Sequence, residues 1–267
     1  MKQIDKKRET VLITGASTGI GYELSKIFAQ NGYDLIIVAR DLRKLMEVEK
    51  ELREKYGTQV IIINKDLSYP NSAYELYEEV LNLNMNIDIL VNNAGAGASG
   101  LFHEIDYDID NKIIQLNMTS LTNLTKLFSK MMIKNKRGKI LNVASTGAYQ
   151  PGPYTAVYYA TKAYVLSFSE AIYNELKDYG ITVTTICPGA TKSEFSKRAG
   201  KAQIKGSMEA KKVALAAFLA LKKNKRLVIP GIQNKIAIIV SKLLPGNITA
   251  KAIRKIQDKL INKTDQH

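Results

Sequence analysis

The stretch Val11-Leu12-Ile13-Thr14-Gly15-Ala16-Ser17-Thr18-Gly19-Ile20-Gly21 decides the fold. Val11 to Thr14 form an unbroken aliphatic and β-branched run, which reads as a strand buried on both faces. Gly15, Gly19 and Gly21 then break it, and an amphipathic segment follows over 20–31. Glycines let a backbone turn tightly and approach another group closely. A helix that starts directly after such a turn offers unpaired N–H groups and a positive dipole end, which suits a pyrophosphate. Ser17, Thr18 and Ile20 belong to the same turn and face the same anion.

Outward from this turn, short apolar runs alternate with amphipathic ones along the whole chain. Runs at 35–39, 60–63, 87–91, 139–144, 181–187 and 226–229 read as further strands. Helical periodicity fills 20–31, 42–56, 71–84, 107–135, 155–179 and 208–223. Such alternation implies a doubly wound α/β fold, a parallel sheet of about seven strands with helices on both faces. Ligands of such sheets sit at the C-terminal ends of the strands. The segment 193–207 is polar with two glycines and reads as a mobile loop. One catalytic domain is expected over 1–231, followed by a basic amphipathic extension over 232–267.

Charge and composition narrow the function. The chain has 267 residues and a net charge of +14. Residues 192–267 hold 18 Lys/Arg against 4 Asp/Glu, so the whole excess sits in the last third. No nucleic-acid motif accompanies it, so a solvated basic face is favoured over a nucleic-acid site. The first ten residues are charged with no apolar stretch behind them, unlike a signal peptide. The aliphatic run Ile236 to Val240 is far shorter than the ~20 residues that span a bilayer. A single cysteine, Cys187, excludes an intrachain disulfide. A cytoplasmic protein is expected. His103 and His267 are the only histidines and match no metal-ligand spacing, so no metal is expected.

At the end of the second strand stands Arg40, 21 residues past Gly19. Enzymes using NAD usually carry an acidic residue there, and a guanidinium suits a 2′-phosphate instead. NADP(H) is therefore the expected cofactor, with NAD(H) as the alternative. Asp41 reads as the cap of the helix at 42.

Tyr158 and Lys162 are four apart in a helical segment and share a face. A phenol of ordinary pKa near ~10 is a poor proton-transfer group at neutral pH, and a nearby ammonium is expected to lower it. The pair would then serve as a general acid/base for a carbonyl or alcohol. Cys187 reads as a small buried side chain, His103 as a surface residue and Tyr149 as a pocket residue.

Together these motifs resemble the short-chain dehydrogenase/reductase family, with a Rossmann-type fold. The glycine turn follows that family's TGxxxGxG spacing, Asn92-Asn93-Ala94-Gly95 ends the fourth strand, and Tyr158-x-x-x-Lys162 lies 13 residues after Ser145. Asn117, Asp66-Leu67 and Pro188-Gly189 fall at the family's positions, so the resemblance covers roughly residues 10 to 195. It implies that Tyr158 transfers a proton to or from the substrate oxygen and that Ser145 donates a hydrogen bond to it. Lys162 would lower the tyrosine pKa and bind the nicotinamide ribose. Asn117 would help hold a water reaching Lys162. Asp66, Leu67, Asn93, Ala94 and Gly95 would line the adenosine side, and Pro188, Gly189, Thr191 and Ser193 the nicotinamide. It further implies hydride transfer between NADP(H) and a small-molecule carbonyl or secondary alcohol, of lipophilic character. A homodimer or homotetramer through 107–135 and 155–179 is expected. The alternative is a catalytically silent dinucleotide-binding regulator or membrane-docked scaffold.

In the extension, Ile236, Ile239, Val240, Leu243 and Leu244 share one helical face. Ile253, Ile256 and Leu260 repeat the pattern, with Lys251, Arg254, Lys255 and Lys259 opposite. Packing on the protein is favoured over docking on a membrane surface.

Overall fold

The computed structural model describes residues 8–200, 202 and 206–261. Seven parallel strands form one sheet in the order β3-β2-β1-β4-β5-β6-β9. They are β1 (Thr10–Thr14), β2 (Asp34–Ala39), β3 (Val60–Asn64), β4 (Ile89–Asn92), β5 (Gly138–Val143), β6 (Ile181–Ile186) and β9 (Leu227–Val228). A separate two-stranded parallel ladder pairs β7 (Thr191–Lys192) with β8 (Met208–Glu209).

Helices cover both faces because successive strand residues point to opposite sides. Val11 and Ile13 enter one core with Leu24, Phe28, Val213 and Phe218. These come from α1 (Gly19–Gln30) and α8 (Ala210–Lys222), and α2 (Leu42–Tyr56) adds Leu45 and Leu52. Leu12 enters the other core with Leu76 and Val80 of α3 (Ser72–Asn82) and Leu124 and Phe128 of α5 (Leu121–Lys134). Phe28 meets Phe218 edge to face at 5.1 Å, locking α1 to α8. Burying one such side chain stabilises the fold by roughly 1.5–3 kcal/mol.

Two regions differ from the sequence reading. The expected helix over 107–135 is α4 (Tyr107–Ile114), a π-helical turn Gln115–Ser120, then α5. The polar segment 193–207 is not a loop throughout, because Glu194–Arg198 form the short helix α7. Ser193 caps it by accepting from Phe195 N–H, and Lys44 of α2 holds Glu194 at 2.9 Å. The remaining elements are α6 (Ala156–Leu176), α9 (Ile232–Leu243) and α10 (Gly246–Ile261). His267 lies outside the described residues.

Candidate active site

The strand order reverses at β1, whose neighbours are β2 on one side and β4 on the other. A crevice must open there at the strand ends, and the glycine turn sits in it. Gly15 has φ +66°, and a Cβ on it would lie 2.9 Å from the Ala94 Cα. The turn and the residues after β4 therefore touch backbone to backbone. Asn93 holds them together: its Nδ2 donates to the carbonyls of Thr14 at 3.0 Å and Gly15 at 3.1 Å. Thr14 Oγ1 accepts in return from the N–H groups of Asn93 and Ala94. Thr18, at the start of α1, makes no capping hydrogen bond with its side chain, so none of the first-turn N–H groups is taken by it.

A cavity of about 440 Å³ runs from this turn across the strand ends. Gly15, Ser17, Thr18, Gly19, Ile20, Arg40, Asp66, Leu67, Asn93, Ala94 and Gly95 line one half. Ser145, Tyr158, Lys162, Pro188, Gly189, Thr191 and Ser193 line the other. Gly21, expected as a cofactor contact, is not in the wall. It is buried, and a Cβ there would run into the Gly15 carbonyl. Its smallness lets the helix start close beneath the turn.

Arg40 lines the glycine-turn half of the cavity from the end of β2, with 65% of its side chain exposed. Its nearest anion is Asp66, 4.0 Å away, too long for a hydrogen bond and weak at such exposure. Asp66 itself accepts from Ser68 N–H and Oγ–H. As the sequence implied, Asp41 caps α2 by accepting from Lys44 N–H at 3.1 Å.

In the other half, Ser145 accepts from Gly147 N–H at 3.1 Å. That bond fixes its Oγ and leaves the hydroxyl proton to donate elsewhere. Tyr158 lies beside it, half-buried. Burial pushes the Tyr158 hydroxyl up to about 12, against a lowering hydrogen bond with Ser145. Lys162 is buried, its Nζ donates to the Val143 carbonyl at 2.8 Å, and burial pushes it down to about 8. Its Nζ lies 5.8 Å from the Tyr158 ring centroid. The lowering expected from the lysine is not seen here: desolvation raises the phenol, only the Ser145 hydrogen bond lowers it, and the Lys162 ammonium is turned to a carbonyl. At neutral pH Tyr158 carries a proton and can donate it.

Asn117 sits in the π-turn, buried and outside the cavity wall. Its side chain accepts from Ala96 N–H and donates to the Ala96 carbonyl and to Thr161 Oγ1, all at 2.9 Å. Its amide thus clamps the segment after β4 to α6. A second buried network supports it from behind: Asn92 Nδ2 donates to Asn142 Oδ1 and Thr125 Oγ1, and Asn142 Nδ2 to Ser169 Oγ.

The wall near Tyr158 is largely apolar and includes side chains that no sequence motif marks. Phe195 of α7 packs against the Tyr158 ring at 5.3 Å, and Tyr159, Gln257 and Leu260 complete the wall. Gln257 Nε2 donates to Tyr159 Oη at 3.3 Å. Tyr149, expected in the pocket, instead packs behind it with Cys187, Val165 and Ala144, under the Lys242 ammonium. Cys187 is fully buried, and burial pushes its thiol up to about 11. His103 is exposed at the surface. Among the described residues no cluster of three or more His, Cys, Asp or Glu could hold a metal.

Residues 9–204 match the short chain dehydrogenase family model, and the chain belongs to that family. Its relatives are NAD(P)-dependent alcohol or carbonyl dehydrogenases and reductases. The chain is 31% identical over 198 residues to an (S)-acetoin-forming diacetyl reductase of Staphylococcus epidermidis, covering 74% of this chain and 77% of the relative. It is 32% identical over 190 residues to a very-long-chain 3-oxoacyl-CoA reductase of Anas platyrhynchos, covering 70% of this chain. That match spans only 61% of the relative's length, so the chain covers about three fifths of some curated relatives. Among solved structures, a short-chain dehydrogenase from Sphingobium yanoikuyae in complex with NADPH superposes with a TM-score of 0.81. It is 33% identical and covers 88% of this chain and 94% of that one.

Proposed function

We propose that this chain is an NADP(H)-dependent oxidoreductase that interconverts a carbonyl and a secondary alcohol on a lipophilic small molecule. The observation that carries it is the placing of Ser145, Tyr158 and Lys162 along one cavity whose other end holds the glycine turn and Arg40. These residues fit the dinucleotide. The glycine turn lets its backbone approach a pyrophosphate, the uncapped α1 start supplies N–H donors, and Arg40 presents a planar fork for a 2′-phosphate. NADP(H) is preferred over NAD(H) on that ground, and the NADPH complex of the Sphingobium relative supports it. When bound, the nicotinamide supplies or takes up the hydride.

The chain's own residues do the rest. Ser145 points a hydroxyl proton at the substrate oxygen and stabilises charge growing on it. Tyr158 gives that oxygen a proton in reduction and takes one back in oxidation. Lys162, held by Val143, places positive charge behind the phenol and within reach of a ribose hydroxyl. Phe195, Tyr159, Leu116 and Leu260 exclude water and favour an apolar substrate. The remaining features of this reading are a cytoplasmic homo-oligomer and a catalytic domain over 1–231 with an appended 232–267.

The test is NADPH oxidation across a panel of carbonyl compounds, repeated with NADH. Turnover of bulky apolar ketones, faster with NADPH, is the expected result. No turnover of any carbonyl in the presence of demonstrable NADPH binding would leave a dinucleotide-binding protein without hydride transfer.

A further inference from the structure

In α9 the apolar face points away from the protein. Ile236, Ile239, Val240 and Leu243 share one stripe, spaced i, i+3, i+4 and i+7, and each is exposed, Leu243 to 80%. Ile238 is the one α9 residue buried in the domain. The face expected to pack against the protein is therefore the face turned outward. Besides Ile238, the Lys242 ammonium lies over the Tyr149 ring at 4.9 Å, and Asn234 Nδ2 donates back to the Pro230 carbonyl at the start of the helix. On α10, Ile248 and Ile256 are exposed as well.

The charge around the stripe says what could cover it. α9 and α10 carry Lys235, Lys242, Lys251, Arg254, Lys255 and Lys259 against a single Asp258. A second copy docked symmetrically on this face would set like charges against like. A stable protein interface also needs about 800 Å² from each partner, more than one stripe of aliphatic side chains offers. An amphipathic helix with an apolar stripe and basic flanks has the chemistry of a helix lying in a bilayer interface, and it binds best to anionic lipid.

We infer that the α9–α10 face docks this protein on an anionic membrane surface, with the α9 stripe entering the headgroup boundary. α10 ties that surface to the cavity: Ile248 and Ile256 face outward, while Gln257 and Leu260 of the same helix line the cavity wall. A docked molecule thus holds its apolar cavity wall next to the lipid phase. The inference stands on the surface alone and does not rest on the hydride-transfer reading.

The full chain is floated with vesicles of phosphatidylcholine and with vesicles containing about 30% phosphatidylglycerol. Two double variants are run beside it, Ile239→Asn/Leu243→Gln and Lys251→Gln/Lys255→Gln. Binding should favour the anionic vesicles by about tenfold or more and weaken in high salt. Each double variant should lose about tenfold in binding, with melting temperature and NADPH affinity unchanged. Three results overturn the inference: no binding of the full chain to anionic vesicles, variants that bind like the parent, or a dimer that Ile239→Asn/Leu243→Gln breaks while vesicles bind nothing. Loss of NADPH turnover in an unrelated assay leaves the inference standing, so the two readings fail separately.

Discussion

The Lys162 Nζ lies 5.8 Å from the centre of the Tyr158 ring and donates to the Val143 carbonyl, not to the phenol. The lysine is therefore anchored by the end of β5, the strand that precedes its own helix. Its charge is held behind the tyrosine by that backbone contact. Burial of both groups sets their resting states at neutral pH, a protonated phenol and an ammonium near the edge of its titration.

Burying that ammonium strains folding. Lys162 has its folded pKa depressed from 10.5 to about 8, so the unfolded chain binds more protons between those values. Stability rises with pH across that window, and below it the full penalty applies. Lys162→Met removes the charge at similar length. At pH 7 it should raise stability by on the order of 1–2 kcal/mol, after the lost bond to Val143 is set against the relieved desolvation. Thermal denaturation from pH 7 to 10 checks this. The variant's advantage should shrink as pH passes 8 towards 10.

Arg40 should decide the cofactor. Arg40→Ala removes a charge-assisted pair worth about 1.5–3 kcal/mol, which corresponds to roughly 10–100-fold in NADPH affinity. NADH affinity should change by about twofold or less, because NADH lacks the phosphate. Titration of both cofactors into the variant gives the ratio. Equal losses for both would assign Arg40 a structural part only.

Gly21 should tolerate nothing larger. Gly21→Ala drives a methyl into the Gly15 carbonyl, so the turn must shift. A loss of about 1–3 kcal/mol in stability is expected, together with weakened dinucleotide binding. Measuring both in one variant separates this from a wall residue, whose replacement would spare stability.

Much of this site was readable because its chemistry lies in residue identity at fixed strand ends. The glycine turn, Arg40, Ser145 and the Tyr158–Lys162 pair all come to one cavity. What was not readable depended on direction and long-range contact. Helical periodicity shows that Ile236, Ile239 and Leu243 share a face, but it carries no sign for inward or outward. Tyr149 and Tyr159 are equally aromatic in sequence. Only the glycines against which Tyr159 packs, Gly147 and Gly152, and its partner Gln257, 98 residues on, place it in the wall. Phe195 was hidden in a polar stretch whose helix rests on a Ser193 cap and on Lys44 from another helix.

The most direct measurement is single-turnover reduction of an accepted ketone by Tyr158→Phe with NADPH bound. The phenyl ring keeps the packing on Phe195 and removes only the proton donor. Hydride transfer should slow by about 10²–10⁴-fold, while NADPH affinity stays within about twofold of the parent. A variant that reduces the ketone at the parent rate would show that the proton comes from elsewhere and would contradict the site described here.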